Sequence, residues 1–187
     1  IKRKDIRIGD HVWIEKAGEI IPQVVGVDPS ARKDLSSPYT MPDTCPECGT
    51  QVVRSDEAAT RCPNERCPAQ VKASIFYFAR RFAMDVDHLG YQLVEQLVNK
   101  GIVRDVADLY SLTVEQVADL ERMAEKSAKN VVGSLQASKE RALGRLICGL
   151  GIPQIGQVAA RQLAEEAQTV ERLLGWSESE TREHVDQ

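Results

Sequence analysis

The sequence predicts a multidomain, mainly α protein: a short β segment, a four-cysteine zinc ribbon, then an array of short helices joined by tight turns. Three observations predict this. Alternating β-branched residues are confined to the first 39 positions. Four thiols arrive as two close pairs, Cys45-Pro-Glu-Cys48 and Cys62-Pro-Asn-Glu-Arg-Cys67, with 13 residues between them. From Pro68 onward, apolar residues recur at helical spacing in short runs broken by turn residues.

Residues 1–39 read as β, with Ile6–Asp10 leading into His11–Ile14 and a turn at Glu15–Gly18 before Glu19–Val27. Pro22 belongs on an edge or bulge. One hairpin cannot stand alone, so the segment reads as the tail of a small barrel with earlier strands upstream of Ile1. The chain begins at Ile1 rather than Met, which leads to the expectation of an excised fragment. Residues 28–44, rich in Ser, Pro and Asp, read as a linker.

The cysteines carry the most specific signal. A tetrahedral Zn²⁺ needs four soft ligands converging from different directions. A C-x2-C knuckle gives two, Gly49 lets the chain reverse behind it, and the second pair closes the other side. Thr50–Ser55 and Ala59–Arg61 read as short strands joined by a polar turn at Asp56-Glu57. A disulfide framework would need an oxidising compartment. A redox C-x-x-C would leave the second pair unexplained. A catalytic zinc would want an open position and commonly a His or carboxylate ligand. Structural zinc on Cys45, Cys48, Cys62 and Cys67 is the expectation, with the metal supplying stability that so small a unit lacks. Cys148 reads as a small buried core residue.

Past the knuckles, Pro68-Ala69-Gln70 opens a helix expected to run to about Ala83, with Arg80 and Arg81 beside its apolar stripe. These arginines read either as a solvated face or as phosphate contacts. Tyr91–Val98, stopped by Lys100-Gly101, is the next helix. A short helical turn at Val106–Tyr110 follows, then Val114–Leu120 capped by Thr113, and then Glu125–Glu140. Ala142–Leu150 and Gln157–Gln168 flank the turn Gly151–Gly156, and Val170–Leu174 is short. The hydrophilic end from Ser177 reads as incomplete or frayed.

A hairpin with Gly at the start of its second helix bares backbone N–H groups, and helix N-termini hold phosphate oxygens through such donors. Gly permits close approach and unusual dihedrals, and small residues such as Ala159 let two helices pack tightly. Such contacts carry no base information. For one turn an ordinary αα-hairpin is the simpler reading; three such units in about a hundred residues shift the balance.

Composition limits the alternatives. Aromatics are 5% of the 187 residues while hydrophobics are 42%, which favours aliphatic helix faces over a β-sandwich. No apolar run approaches the roughly 18 residues of a membrane span, so no membrane partner is expected. Free thiols point to a reducing compartment, the cytoplasm. The net charge of −4 gives no basic envelope for nucleic acid. Residues 1–39 carry seven Lys/Arg against six acids and residues 143–187 four against seven, so any such contact is local.

In order and spacing these parts resemble bacterial NAD-dependent DNA ligases, from about Asp5 to Gly175. Lys16–Pro22 resembles the end of that family's OB fold. Cys45, Cys48, Cys62 and Cys67 followed by Pro68-Ala69-Gln70 resemble its zinc finger. Ala83–Gly90, Leu109–Leu112 with Glu125–Asn130, and Leu150–Gly156 resemble its helix-hairpin-helix regions. The departures are His88 where the family has Gly, Arg122-Met123-Ala124 where it has Gly-Phe-Gly, and a fourth unit that is absent or only begun after Val170.

The resemblance implies three parts: residues 1–39 as the C-terminal part of an OB-fold domain, 40–70 as a four-Cys zinc finger, and 71–187 as a helix-hairpin-helix domain with its last repeat incomplete. It implies nick sealing in duplex DNA, in replication and repair, by the parent enzyme. NAD adenylylates a lysine, AMP passes to a 5′-phosphate at a nick, and the 3′-hydroxyl displaces it. The family's Lys-x-Asp-Gly adenylation motif does not occur in this sequence. The catalytic lysine, NAD, Mg²⁺, an upstream adenylation domain and a downstream BRCT domain are therefore expected outside it. The DNA contacts implied are Lys16, Arg81, Gly90, Lys126, Gly156 and Gln157; Gly90 and Gly156 also follow from turn physics. Two rivals stand beside this reading: a stand-alone zinc and helix-hairpin-helix DNA-repair accessory module, and a purely structural or protein-binding zinc domain.

Overall fold

The computed structural model describes residues 1–181 apart from Glu19, 33–35, 55–58 and Glu178. Strands β1 (Val12–Ala17) and β2 (Ile21–Val27) form an antiparallel ribbon. Lys16 pairs with Pro22, and the register shifts between Trp13 and Ile14. The Trp13 ring covers Gly26, where an added Cβ would stand 3.1 Å from Cε3. β1 is longer than the sequence predicts. Glu15–Ala17 pair with β2 rather than turning, and the reversal tightens onto Gly18 at φ +58°. Ile6–Asp10 form no strand; they are drawn instead into a clasp of charges. Arg32 donates to Asp10 at 2.9 and 2.8 Å and to Asp5 at 2.7 Å, and Arg7 donates to the Ser36 carbonyl at 2.7 Å. The expected linker is thus pinned at its start, where Asp28 caps a 3-10 turn at Pro29–Ala31.

Strands β3 (Val53–Arg54) and β4 (Thr60–Arg61) pair antiparallel between the two knuckles. The expected turn at Asp56-Glu57, position Glu19, and most of the hydrophilic end beyond Ser177 lie outside the described residues.

Seven helices follow among the described residues: α1 (Pro68–Phe78), α2 (Tyr91–Asn99), α3 (Val114–Ala118), α4 (Glu125–Ser138), α5 (Leu143–Gly149), α6 (Gln157–Ala167) and α7 (Val170–Leu174). They pack as the consecutive pairs α1–α2, α3–α4 and α5–α6, with α1 also against α5. One core runs from Val71 to Leu135 and joins the first two pairs. A second, with Ile147, Cys148, Ala160 and Leu163, joins α5 to α6 and takes in Phe82 and Trp176. Cys148 is buried as expected. Glycines set the close approaches. A Cβ on Gly144 would meet the Arg161 backbone at 3.2 Å, and one on Gly149 would meet Phe78 at 3.2 Å. The tight α5–α6 packing thus falls on Gly144, Ala160 and Ala164, while Ala159 is only half-buried.

Helix α1 stops at Phe78, short of the expected Ala83. Backbone bonds from Met84 to Phe78 and from Val86 to Ala79 fold the chain back at 3.0 Å each. Burial of Ala83, Met84 and Val86 in the core drives that reversal, outweighing the helical periodicity. Arg80 and Arg81 therefore sit in a turn, not on a helix face, and Arg80 lies over the Phe76 ring at 4.5 Å.

Candidate zinc centre and nucleic-acid interface

The knuckles are built by short-range hydrogen bonds. Cys45 N–H donates to the Thr50 carbonyl at 2.8 Å, and Gly49 N–H returns to the Cys45 carbonyl at 2.9 Å, with Gly49 at φ +71°. On the other side, Cys67 N–H donates to the Asn64 carbonyl and Cys67 caps α1, with Pro68 in the first helical position. Gln70 reaches back from α1 to the carbonyls of Cys62 and Asn64, at 2.8 and 3.1 Å. The metal knuckle and the first helix are thus one rigid joint.

The four sulfurs converge. Cys45 and Cys67 Sγ are 3.9 Å apart, Cys48 and Cys62 Sγ 3.6 Å, and all four lie within 4.8 Å of one another. Sulfurs at roughly 2.3 Å around one tetrahedral Zn²⁺ stand about 3.8 Å apart, so the set fits that ion. The thiols are uneven. Hydrogen bonds from Thr50, side chain then backbone, pull Cys48 down to about 6. Against the lowering pull of the Asn64 backbone, burial and the neighbouring thiols push Cys62 up to about 11. Burial likewise raises Cys67. A divalent cation at the centre removes this disparity by holding all four as thiolates. Thr50 and Asn64 were not legible as participants, because their role depends on where the turns place them.

The helical hairpins share one backbone geometry. Before α2 stand His88, Leu89 and Gly90; before α4, Arg122, Met123 and Ala124; before α6, Gln154, Ile155 and Gly156. In each, the first residue is left-handed, with φ +66°, +61° and +69°. The second is apolar and turned toward the core. The third is the extended residue that opens the helix, with φ −76°, −125° and −87°. This alters the expected role of glycine. Gly90 and Gly156 adopt angles open to any residue, and a Cβ on either would meet nothing within 4 Å. The unusual dihedral lies two positions earlier, on His88, Arg122 and Gln154. The turn without glycine has the same shape as the others.

The expected contact residues Lys16, Arg81, Gly90, Lys126, Gly156 and Gln157 are all exposed. Gly90, Lys126, Gly156 and Gln157 fall at three equivalent helix starts. Lys16 lies on β1, and Arg81 lies in the α1–α2 turn, where its carbonyl accepts from Arg145. Braces that the sequence did not signal hold the turns in place. Gln96 accepts from Glu121 N–H at 2.8 Å and donates to its carbonyl at 3.2 Å, fixing the second turn to α2. Asp85 pairs with Arg141 at 2.8 Å, and Asp87 N–H donates to Ser134 at 2.8 Å, fixing the first turn to α4 and its exit.

Comparison with known proteins finds three family matches along the chain. Residues 1–36 match a profile described as the NAD-dependent DNA ligase OB-fold domain. Residues 44–69 match the NAD-dependent DNA ligase C4 zinc finger domain, and 81–137 a SAM-like helix-hairpin-helix tandem. The last match takes in the turns that open α2 and α4 but begins after α1; the turn that opens α6 repeats their geometry beyond it. Among curated relatives, the chain is 48% identical over 180 residues to a DNA ligase of Methylacidiphilum infernorum, covering 96% of the chain and 26% of the relative. It is 48% identical over 181 residues to a DNA ligase of Bacillus subtilis, covering 96% and 27%. A DNA ligase of Nitrosococcus oceani is 46% identical over 188 residues, covering 100% and 28%. The chain spans about a quarter of the length of these relatives.

Proposed function

We propose that this chain, which carries the OB-fold, zinc-finger and helix-hairpin-helix segment of the NAD-dependent DNA ligases, holds duplex DNA by its backbone so that a nick can be sealed. The observation that carries the reading is the repeated turn. Each presents an exposed helix N-terminus with the positive end of the peptide dipoles and first-turn N–H groups that have no carbonyl partner within the helix, although before α4 the Ala124 N–H is taken by Ser127 Oγ at 2.9 Å. Phosphate oxygens are the natural occupants. Recognition of this kind needs few basic side chains and reads no bases, which suits a chain of net charge −4.

In this reading Cys45, Cys48, Cys62 and Cys67 hold Zn²⁺ as a structural joint between the OB segment and α1. Gly90 and Gly156 leave room for phosphate, and Gln157 and Lys126 flank those sites. Lys16 and Arg81 add charge at the edges. The adenylyl transfers belong to the parent enzyme. NAD, Mg²⁺ and the nucleophilic lysine are placed in an upstream adenylation domain, with a BRCT domain downstream. The working compartment is the cytoplasm, where the thiols stay free to bind metal.

Duplex affinity across a salt series tests this. Gly90→Val and Gly156→Val fill space that the fold itself leaves empty, so they weaken duplex binding by about tenfold or more while leaving stability near that of the parent. Arg122→Ala changes binding little and leaves the salt slope intact, because Glu121 and Glu125 flank it; the slope would drop by nearly one if the guanidinium neutralised a phosphate. Unchanged affinity in both valine variants would remove the hairpins from the interface.

A further inference from the structure

The zinc centre is built unevenly, and the unevenness falls on the reactivity of its ligands. Cys45 and Cys67 are buried, 8% and 1% exposed, whereas Cys48 and Cys62 are only half-buried. The half-buried pair comes from opposite knuckles, with the two Sγ atoms 3.6 Å apart. Their surroundings differ. Cys48 Sγ lies 3.2 Å from Thr50 Oγ1 and also meets the Thr50 backbone and the Asn64 side chain. Apart from the other thiols, Cys62 Sγ meets only the Asn64 backbone. In the loaded centre all four sulfurs are thiolates. A thiolate has no proton to give, so the Thr50 hydroxyl donates to Cys48. Such donors draw charge from the sulfur and weaken it as a nucleophile. Cys62 has solvent access like that of Cys48 but no hydroxyl to temper it.

We propose that Cys62 is the reactive ligand of the zinc centre, a modification site at which a peroxide opens it, with Cys48 as the resolving thiolate. The Cys62 thiolate attacks one oxygen of hydrogen peroxide, the O–O bond breaks and hydroxide leaves. Cys62 is thereby oxidised to a sulfenic acid and the peroxide is reduced. The Cys48 thiolate then attacks the Cys62 sulfur. The S–S bond forms, and the sulfenic oxygen leaves as a second hydroxide. Two protons from solvent turn both hydroxides into water. With two of its four donors gone, the site lets go of Zn²⁺. Gln70 of α1 hangs on the carbonyls of Cys62 and Asn64, so the same reaction unfastens the knuckles from the first helix. Cys148, 2% exposed within the second core, stays out of it.

The test is brief exposure of the zinc-loaded chain to hydrogen peroxide. Zinc release is followed with a colorimetric chelator, and oxidised cysteines are located by mass mapping with dimedone as the sulfenic-acid trap. The first trapped residue is Cys62, and the first disulfide joins Cys48 to Cys62 in step with the zinc released. Thr50→Val keeps the backbone bond from Cys45 to the Thr50 carbonyl. It removes the hydroxyl from Cys48, speeds zinc release by about tenfold and spreads the trapped sulfenic acid to Cys48. Thr50→Ser restores the parent rate and the preference for Cys62. First oxidation at Cys45, Cys67 or Cys148, a disulfide within one knuckle, or zinc retained after the disulfide has formed overturns the proposal. So does an unchanged rate in Thr50→Val.

Discussion

At the scale of single residues, the hairpins store a strain that the composition does not reveal. His88, Arg122 and Gln154 occupy the left-handed region, which costs a non-glycine residue roughly 1–2 kcal/mol. Glycine at any of the three relieves that cost but makes the unfolded chain more flexible, a loss of roughly 0.5–1 kcal/mol. The net expectation is a gain of about 0.5–1 kcal/mol for each of His88→Gly, Arg122→Gly and Gln154→Gly, measured by denaturant unfolding. A loss instead would mean that the native side chains make stabilising contacts that outweigh the backbone strain. This is where residue identity misled. The sequence shows glycine at two of three helix starts, but the demanding position is two residues earlier and is filled by His, Arg and Gln.

At the scale of elements, the zinc unit and the helical core are coupled through one joint yet stabilised separately. Among the described residues, the unit between Cys45 and Cys67 has two-residue strands and no side chain in either hydrophobic core. Its order depends on the metal. The Val71–Leu135 core is closed by its own apolar packing. Chelation is therefore expected to unfold residues 45–67 and to fray the start of α1, where Gln70 and Cys67 lose their anchors. Helices α2 to α6 keep their helicity. Amide exchange before and after zinc removal reads both outcomes, and protection persisting in the knuckles without metal would contradict the assignment. The spacing of the four cysteines made this centre legible in advance, because metal coordination is a local constraint. The end of α1 was not legible, because the core that buries Met84 and Val86 is assembled from residues as far along the chain as Leu135 and is not local.

At the scale of the whole molecule, the proposed role is to hold duplex DNA, and it carries a prediction about adenylylation. Without the Lys-x-Asp-Gly motif, incubation with labelled NAD is expected to leave the chain unlabelled; a stable lysyl-adenylate on any of its lysines would reverse that expectation. The order of parts, the four-thiol centre, the helical array and the candidate helix starts were all determined by the sequence, because each rests on spacing within a few turns of chain. Tertiary structure alone decided the rest. It folded Ala83, Met84 and Val86 back into the core, pinned Asp5 and Asp10 under Arg32, and braced Glu121 with Gln96. The ion pairs and the brace join residues from 22 to 27 positions apart. The energy that selects them is burial and charge pairing across the folded chain, which no local pattern of residues encodes.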